Sequence, residues 1–259
     1  MLFHLLVAAY VAVLGLIVGS YLNVVIYRLP RGISTVWPRS RCTGCGAAIR
    51  AWDNLPLVSY LLLRGRCRSC GASIAWRYPA IEALTGLLFV GCLERFGLSS
   101  AALAGAVFCC LMVVLAAIDI EHMLLPDRLT LPGIALGLAL QLWVPWAGGL
   151  AGAALGALLG GGILLAISGA WYLLRGEEGM GLGDVKMLAM VGAFLGWKGV
   201  VVTLFASTLS GAAVGLFLVR RSSSGMKTKV PFGAFLALGA LLALFAGTPL
   251  VDAYLGLLR

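Results

Sequence analysis

Uncharged apolar runs of membrane-spanning length recur along nearly the whole chain, with only short polar gaps between them. About 20 such residues carry one helix across hydrocarbon, where every backbone amide must find its partner within the protein. Hydrophobic residues make up 61% of the chain and charged ones 11%, with a mean hydropathy of +1.03. A water-soluble fold could not hide that much apolar surface. The expected fold class is all-α, a polytopic transmembrane bundle of about eight helices. Its spans are placed near residues 2–27, 79–96, 100–119, 128–145, 150–174, 186–198, 199–219 and 231–257. The sixth is short and interrupted by glycine. The first has no basic stretch ahead of it and carries Arg28 and Arg31 behind it, so it is read as a retained anchor.

The formal net charge is +9, but its placement matters more than its sum. Nine arginines, from Arg28 to Arg77, lie between the first two runs. Arg128, Arg175 and Lys186, and then Arg220, Arg221, Lys227 and Lys229, fall in alternate later gaps; Arg95, Lys198 and Arg259 fall in the others. Cytoplasmic loops are the basic ones, which sets the N-terminus on the periplasmic side. Topology accounts for the charge, so no nucleic-acid partner is expected.

Three domains follow: 1–27, a first transmembrane helix; 28–78, a cytoplasmic insert; and 79–259, the remaining bundle. The insert is too long for a structureless loop and needs a staple. It contains a repeat, CTGCGAAI and CRSCGASI, in which Cys42, Cys45, Cys67 and Cys70 form two CxxC knuckles. Two such turns supply a tetrahedral four-thiolate zinc site, closed to substrate and hence structural. Two disulfides are the alternative, disfavoured in a reducing cytoplasm. Cys92, Cys109 and Cys110 lie in apolar runs and are assigned to packing. Gly152, Gly156 and Gly160 mark a face where another helix can come close.

A carboxylate within or at the edge of a membrane helix is a functional candidate. Asp119 closes the run FCCLMVVLAAI, and Asp184 heads the short sixth helix in GMGLGDVKMLAMVGAFLG. Both are expected near the cytoplasmic face. Two facing carboxylates can share one proton: the ionised member takes a proton from water while the protonated one polarises a carbonyl. Gly181 and Gly183 would let a substrate backbone approach Asp184. Glu121, Asp127, Glu177 and Glu178 read as surface charges, one of which could receive a basic peptide. His4 and His122 have no catalytic partner in their sequence context.

GSYLNVVIYRLP (19–30), the paired knuckles, DIEHMLLPD (119–127), GMGLGDVKMLAMVGAFLG (179–196) and KVPFGAFLALG (229–239) together resemble the bacterial type IV prepilin peptidases, in the family's order and across nearly the whole chain. The resemblance implies a bifunctional inner-membrane enzyme. It would cleave the short basic leader of type IV prepilins and of type II secretion pseudopilins, usually after a glycine, and then methylate the new amine with S-adenosylmethionine. It makes Asp119 and Asp184 catalytic and matches the family's cysteines to Cys42, Cys45, Cys67 and Cys70. The family often reads PFGPF where residues 231–235 read PFGAF; the change would loosen a helix start without removing a reactive group. No cofactor-binding residues are assigned, since no glycine-rich cofactor loop is discernible.

Two other readings share these features. A presenilin-like intramembrane protease has the GxGD element, but a tyrosine precedes its first aspartate, where Ile118 stands here. A transporter or assembly scaffold would use Asp119 and Asp184 to bind a proton or cation. Oligomeric state is not legible.

Overall fold

The computed structural model describes all residues except 178–180, 222–230 and 258–259. Among the described residues the chain is helical, and the only β-pairing is two isolated bridges, Arg41 with Ala48 and Arg66 with Ser73. Four helical stretches are long and apolar enough to cross a membrane: Leu2–Arg31, Ser100–His122, Gly149–Arg175 and Leu182–Phe217. A shorter apolar stretch runs over Phe232–Gly247. The backbone divides into two compact units, Met1–Val114 and Leu115–Arg259.

In the first unit, α1 (Leu2–Arg28) packs antiparallel on α3 (Arg77–Phe96). A stripe of small and polar residues explains the close approach. A Cβ on Gly15 would lie 2.8 Å from the Gly86 Cα, and one on Gly19 would lie 2.8 Å from the Glu82 Cα. One turn further, the buried Asn23 amide donates to the Tyr78 carbonyl at 3.1 Å. Small residues and amide cross-links of this kind join helices where no hydrophobic effect drives them together. Between the two helices lie residues 29–76, which include the one-turn helix α2 (Val58–Leu62). The Glu82 carboxylate accepts the Leu57 N–H at 2.9 Å and so ties the start of α2 to α3. On α4 (Ser100–His122), Cys109 faces Cys92 of α3 with sulfurs 3.8 Å apart, both buried.

In the second unit, α5 (Asp127–Leu140), α6 (Gly149–Arg175) and α8 (Phe232–Leu257) pack around α7 (Leu182–Arg221). Glycines allow the contact of α6 with α7: a Cβ on Gly156 would lie 2.5 Å from the Gly192 carbonyl, and one on Gly160 would lie 2.5 Å from the Leu188 carbonyl. Gly152 does not extend this face. Its own approach is to the Ala147 carbonyl, in the turn that leads into α6.

A continuous helix of 40 residues would rise about 60 Å, twice the hydrocarbon thickness. α7 is instead broken at Gly196, at φ 69° and ψ −171°. The break leaves carbonyls without helical partners. Gln141, 4% exposed, takes up two of them: its Nε2 donates to Ala193 at 3.3 Å and Phe194 at 2.9 Å, while its Oε1 accepts the Ala147 N–H at 3.0 Å. The expected run 128–145 therefore ends as helix at Leu140, where the chain turns to place this side chain. The break lies two residues before the expected boundary at 198/199.

Candidate active site

Three helix ends meet around Asp119 in the second unit. Asp119 lies in the last turn of α4 and is 6% exposed. The chain then leaves the helix through Met123, at φ 50°, whose N–H returns to the Asp119 carbonyl at 2.8 Å. The Asp119 Oδ2 accepts the Ala234 N–H at 3.0 Å. Ala234 is in the first turn of α8, where amides have no intrahelical acceptor, so the carboxylate satisfies a donor that the helix leaves open. Asp184 lies in the first turn of α7, half-buried, its own N–H donating to the Gly181 carbonyl at 3.1 Å. The two aspartates are drawn together through Leu125, which packs on Gly183 beside Asp184 and on Gly233 beside Asp119.

Leu125 itself is buried, 7% exposed. A Cβ on Gly183 would lie 2.9 Å from the Leu125 Cβ. One on Gly233 would lie 2.9 Å from the Asp119 Oδ2 and 3.0 Å from the Leu125 Cδ1. Gly183 thus makes room for Leu125, and Gly233 for the carboxylate itself. Gly181 is exposed, and a Cβ there would stand 3.8 Å from the Asp184 Oδ2. Asp127 is already engaged: the Lys186 ammonium reaches its two oxygens at 2.7 and 2.8 Å, joining the N-terminal ends of α5 and α7. Of the other acidic candidates, Glu121 lies 3.9 Å from His122, Glu177 is exposed, and Glu178 falls outside the described residues.

Sequence reasoning missed Ala234, Gly233, Leu125, Lys186 and Gln141. A proline just before an apolar run signals a helix start, so PFGAF could have shown an open helix N-terminus seeking an acceptor. Nothing in the sequence says that Asp119 is that acceptor.

The four expected cysteines come together in the first unit, where the Cys42, Cys45, Cys67 and Cys70 sulfurs all lie within 4.8 Å of one another. The two knuckles fold alike. Cys42 N–H donates to the Ala47 carbonyl at 2.9 Å, and Cys67 N–H to that of Ala72 at 2.8 Å. Gly46 and Gly71 follow at φ 70° and 72°, a left-handed turn that glycine adopts without strain. Tetrahedral zinc at about 2.3 Å from each thiolate sets sulfurs about 3.8 Å apart. The Cys42 and Cys70 sulfurs stand 3.9 Å apart, so the donor set fits such an ion. The Cys45 and Gly44 amides hold the Cys42 thiol down, to about 6. At Cys70 the Ala72 amide acts the same way but is outweighed by the neighbouring sulfurs, which leave the thiol at about 11.

Two family models match the chain: the bacterial peptidase A24 N-terminal domain over residues 13–96 and the type IV leader peptidase family over residues 106–216. Curated relatives carry the name prepilin leader peptidase/N-methyltransferase. That of Burkholderia pseudomallei strain 1026b is 42% identical, covering 93% of this chain and 86% of its own. That of Pseudomonas putida is 39% identical over 91% and 89%, and that of Pseudomonas aeruginosa is 38% identical over 93% and 91%. The chain belongs to the type IV leader peptidase family. Asp119 and Asp184 both fall in the stretch matched by the leader peptidase model, and the four cysteines fall in that of the N-terminal domain. Membership in a peptidase family also sets aside the transporter reading. No solved structure matches the chain.

Proposed function

We propose that this chain is a prepilin leader peptidase and N-methyltransferase of a bacterial inner membrane, with Asp119 and Asp184 as its catalytic pair. The observation that carries the reading is that the helix ends bearing Asp119 and Asp184 both pack on Leu125, in a family of leader peptidases. One carboxylate takes a proton from the attacking water, while the other donates a hydrogen bond to the scissile carbonyl and then a proton to the leaving amine. The exposed glycine at 181 keeps a side chain off the approach to Asp184, while that at 183 admits Leu125. Substrates are type IV prepilins and type II secretion pseudopilins.

The relatives' shared name adds methylation of the freed amine, for which S-adenosylmethionine would supply the methyl group. Residues 28–78 form the cytoplasmic insert, in which Cys42, Cys45, Cys67 and Cys70 would hold a structural zinc ion. The bundle crosses the membrane about eight times, with the break at Gly196 separating two of the crossings. The N-terminus is periplasmic, and the carboxylates lie near the cytoplasmic face.

Cleavage of a prepilin peptide in detergent, comparing wild type with Asp119→Asn and Asp184→Asn, tests the central assignment. Each variant is expected to lose roughly 10²- to 10⁴-fold in rate, the usual worth of a positioned acid or base, while keeping its metal. Normal cleavage by either variant would remove that aspartate from the mechanism.

A further inference from the structure

The segment between α1 and α3 presents an unusual surface. On α2, Val58, Leu61 and Leu62 are 50, 73 and 77% exposed. Positions i, i+3 and i+4 share one helix face, so the outer face of α2 is wholly apolar while Ser59 turns inward. Trp37, Trp52 and Trp76 are exposed by 61% or more. The charge has one sign: residues 28–78 contain nine arginines and a single carboxylate, Asp53. Arg68 engages that carboxylate in a two-pronged pair, with nitrogens 2.7 to 3.0 Å from its oxygens. That single carboxylate cannot balance Arg39, Arg50, Arg64 and Arg66, all exposed.

Position decides what covers this surface. The segment is tethered at both ends to apolar helices, and the Leu57-to-Glu82 hydrogen bond fixes α2 beside the second turn of α3. Tryptophan and arginine beside a membrane helix are the residues of the headgroup layer, and clustered cations there select anionic lipid. We propose that the α2 face and Trp52, whose carbonyl accepts the Ser59 hydroxyl of α2 at 2.8 Å, seat in the headgroup layer of the leaflet that α1 and α3 enter, with the arginines on the phosphates of anionic phospholipid. The insert then works as an interfacial anchor, whatever it also does for the reaction. An acidic protein partner would satisfy the arginines but leave the α2 face uncovered.

Hydrogen exchange of the whole chain in nanodiscs tests this, comparing phosphatidylglycerol with phosphatidylcholine. Amides of residues 57–66 are expected to exchange about tenfold more slowly in the anionic discs. Combined Arg39→Gln, Arg50→Gln, Arg64→Gln and Arg66→Gln should remove that difference, each charge contributing about fivefold at most. Leu61→Ser with Leu62→Ser should raise exchange in both lipids. Because the quadruple variant could misfold, a salt titration of the wild type is run alongside, and protection in anionic discs should fade as ionic strength rises. Equal exchange in the two lipids, insensitive to salt, would overturn the proposal. So would protection that appears only with two chains per disc or only when prepilin is added.

Discussion

The cysteine cluster and the carboxylate pair are built in opposite ways. All four cysteines come from residues 42–70, on two near-copies of one turn, each closed by its own backbone hydrogen bonds. The carboxylate site draws on residues 119, 125, 183, 184, 233 and 234, brought from the ends of three helices. One is a local device that needs only its own segment. The other exists only once the second unit has packed. The comparison teaches where each is vulnerable: the cluster fails by losing a ligand, and the pair fails by losing a fraction of an ångström.

The largest effect is expected from removing ligands. Cys67→Ser with Cys70→Ser should abolish metal binding and unprotect the amides of residues 41–73 to exchange, since a structural zinc site contributes on the order of 10 kcal/mol or more. The amides around Asp119 in the second unit should stay protected; if they also exchange freely, the two regions are not separate devices. A smaller effect comes from crowding the carboxylate. Gly233→Ala places a Cβ where 2.9 Å separates it from the Asp119 Oδ2. Displacement of a catalytic group on the order of 1 Å costs up to about 10²-fold, so cleavage should fall by about 10- to 100-fold with metal content unchanged. Wild-type cleavage by this variant would show that the site tolerates misplacement, and the contrast would collapse.

The smallest effect concerns Asp53, whose hydrogen bond and charge interaction with Arg68 hold its carboxyl below the usual range. A lowered folded value means stabilisation that is present above the ordinary carboxylate pKa, about 3.9, and is lost as pH falls through the folded value. Arg68→Gln should therefore lower the melting temperature slightly at pH 6, and that difference should shrink as pH falls below the ordinary carboxylate range, as thermal melts across an acid series will show. A difference that persists in acid would mean that Arg68 acts through packing instead.

What the sequence made legible follows the same division. Membrane helices show as apolar runs, and CxxC knuckles show as spacing, because both are local properties of the chain. Asp119 and Asp184 stood out as acids in apolar surroundings, which is again local. Their partners did not. The bond from Ala234 to Asp119 joins residues 115 apart, and no periodicity marks it. Gln141 reads as one polar residue within an apolar run, yet it satisfies the carbonyls at a break more than fifty residues away. Gly152 shares its spacing with Gly156 and Gly160 but serves a turn, because a spacing of four marks a face without saying what approaches it.

The break at Gly196 also sets a length. Residues 182–195 rise about 21 Å, some 9 Å short of an average hydrocarbon layer of about 30 Å. A helix this short is mismatched to its bilayer, which thins locally or is met by flanking polar side chains. At the broken end the loose carbonyls are satisfied from within by Gln141. The other end carries Asp184. In the proposed reading, a shortfall at that end would bring water, the second reactant, to the carboxylates.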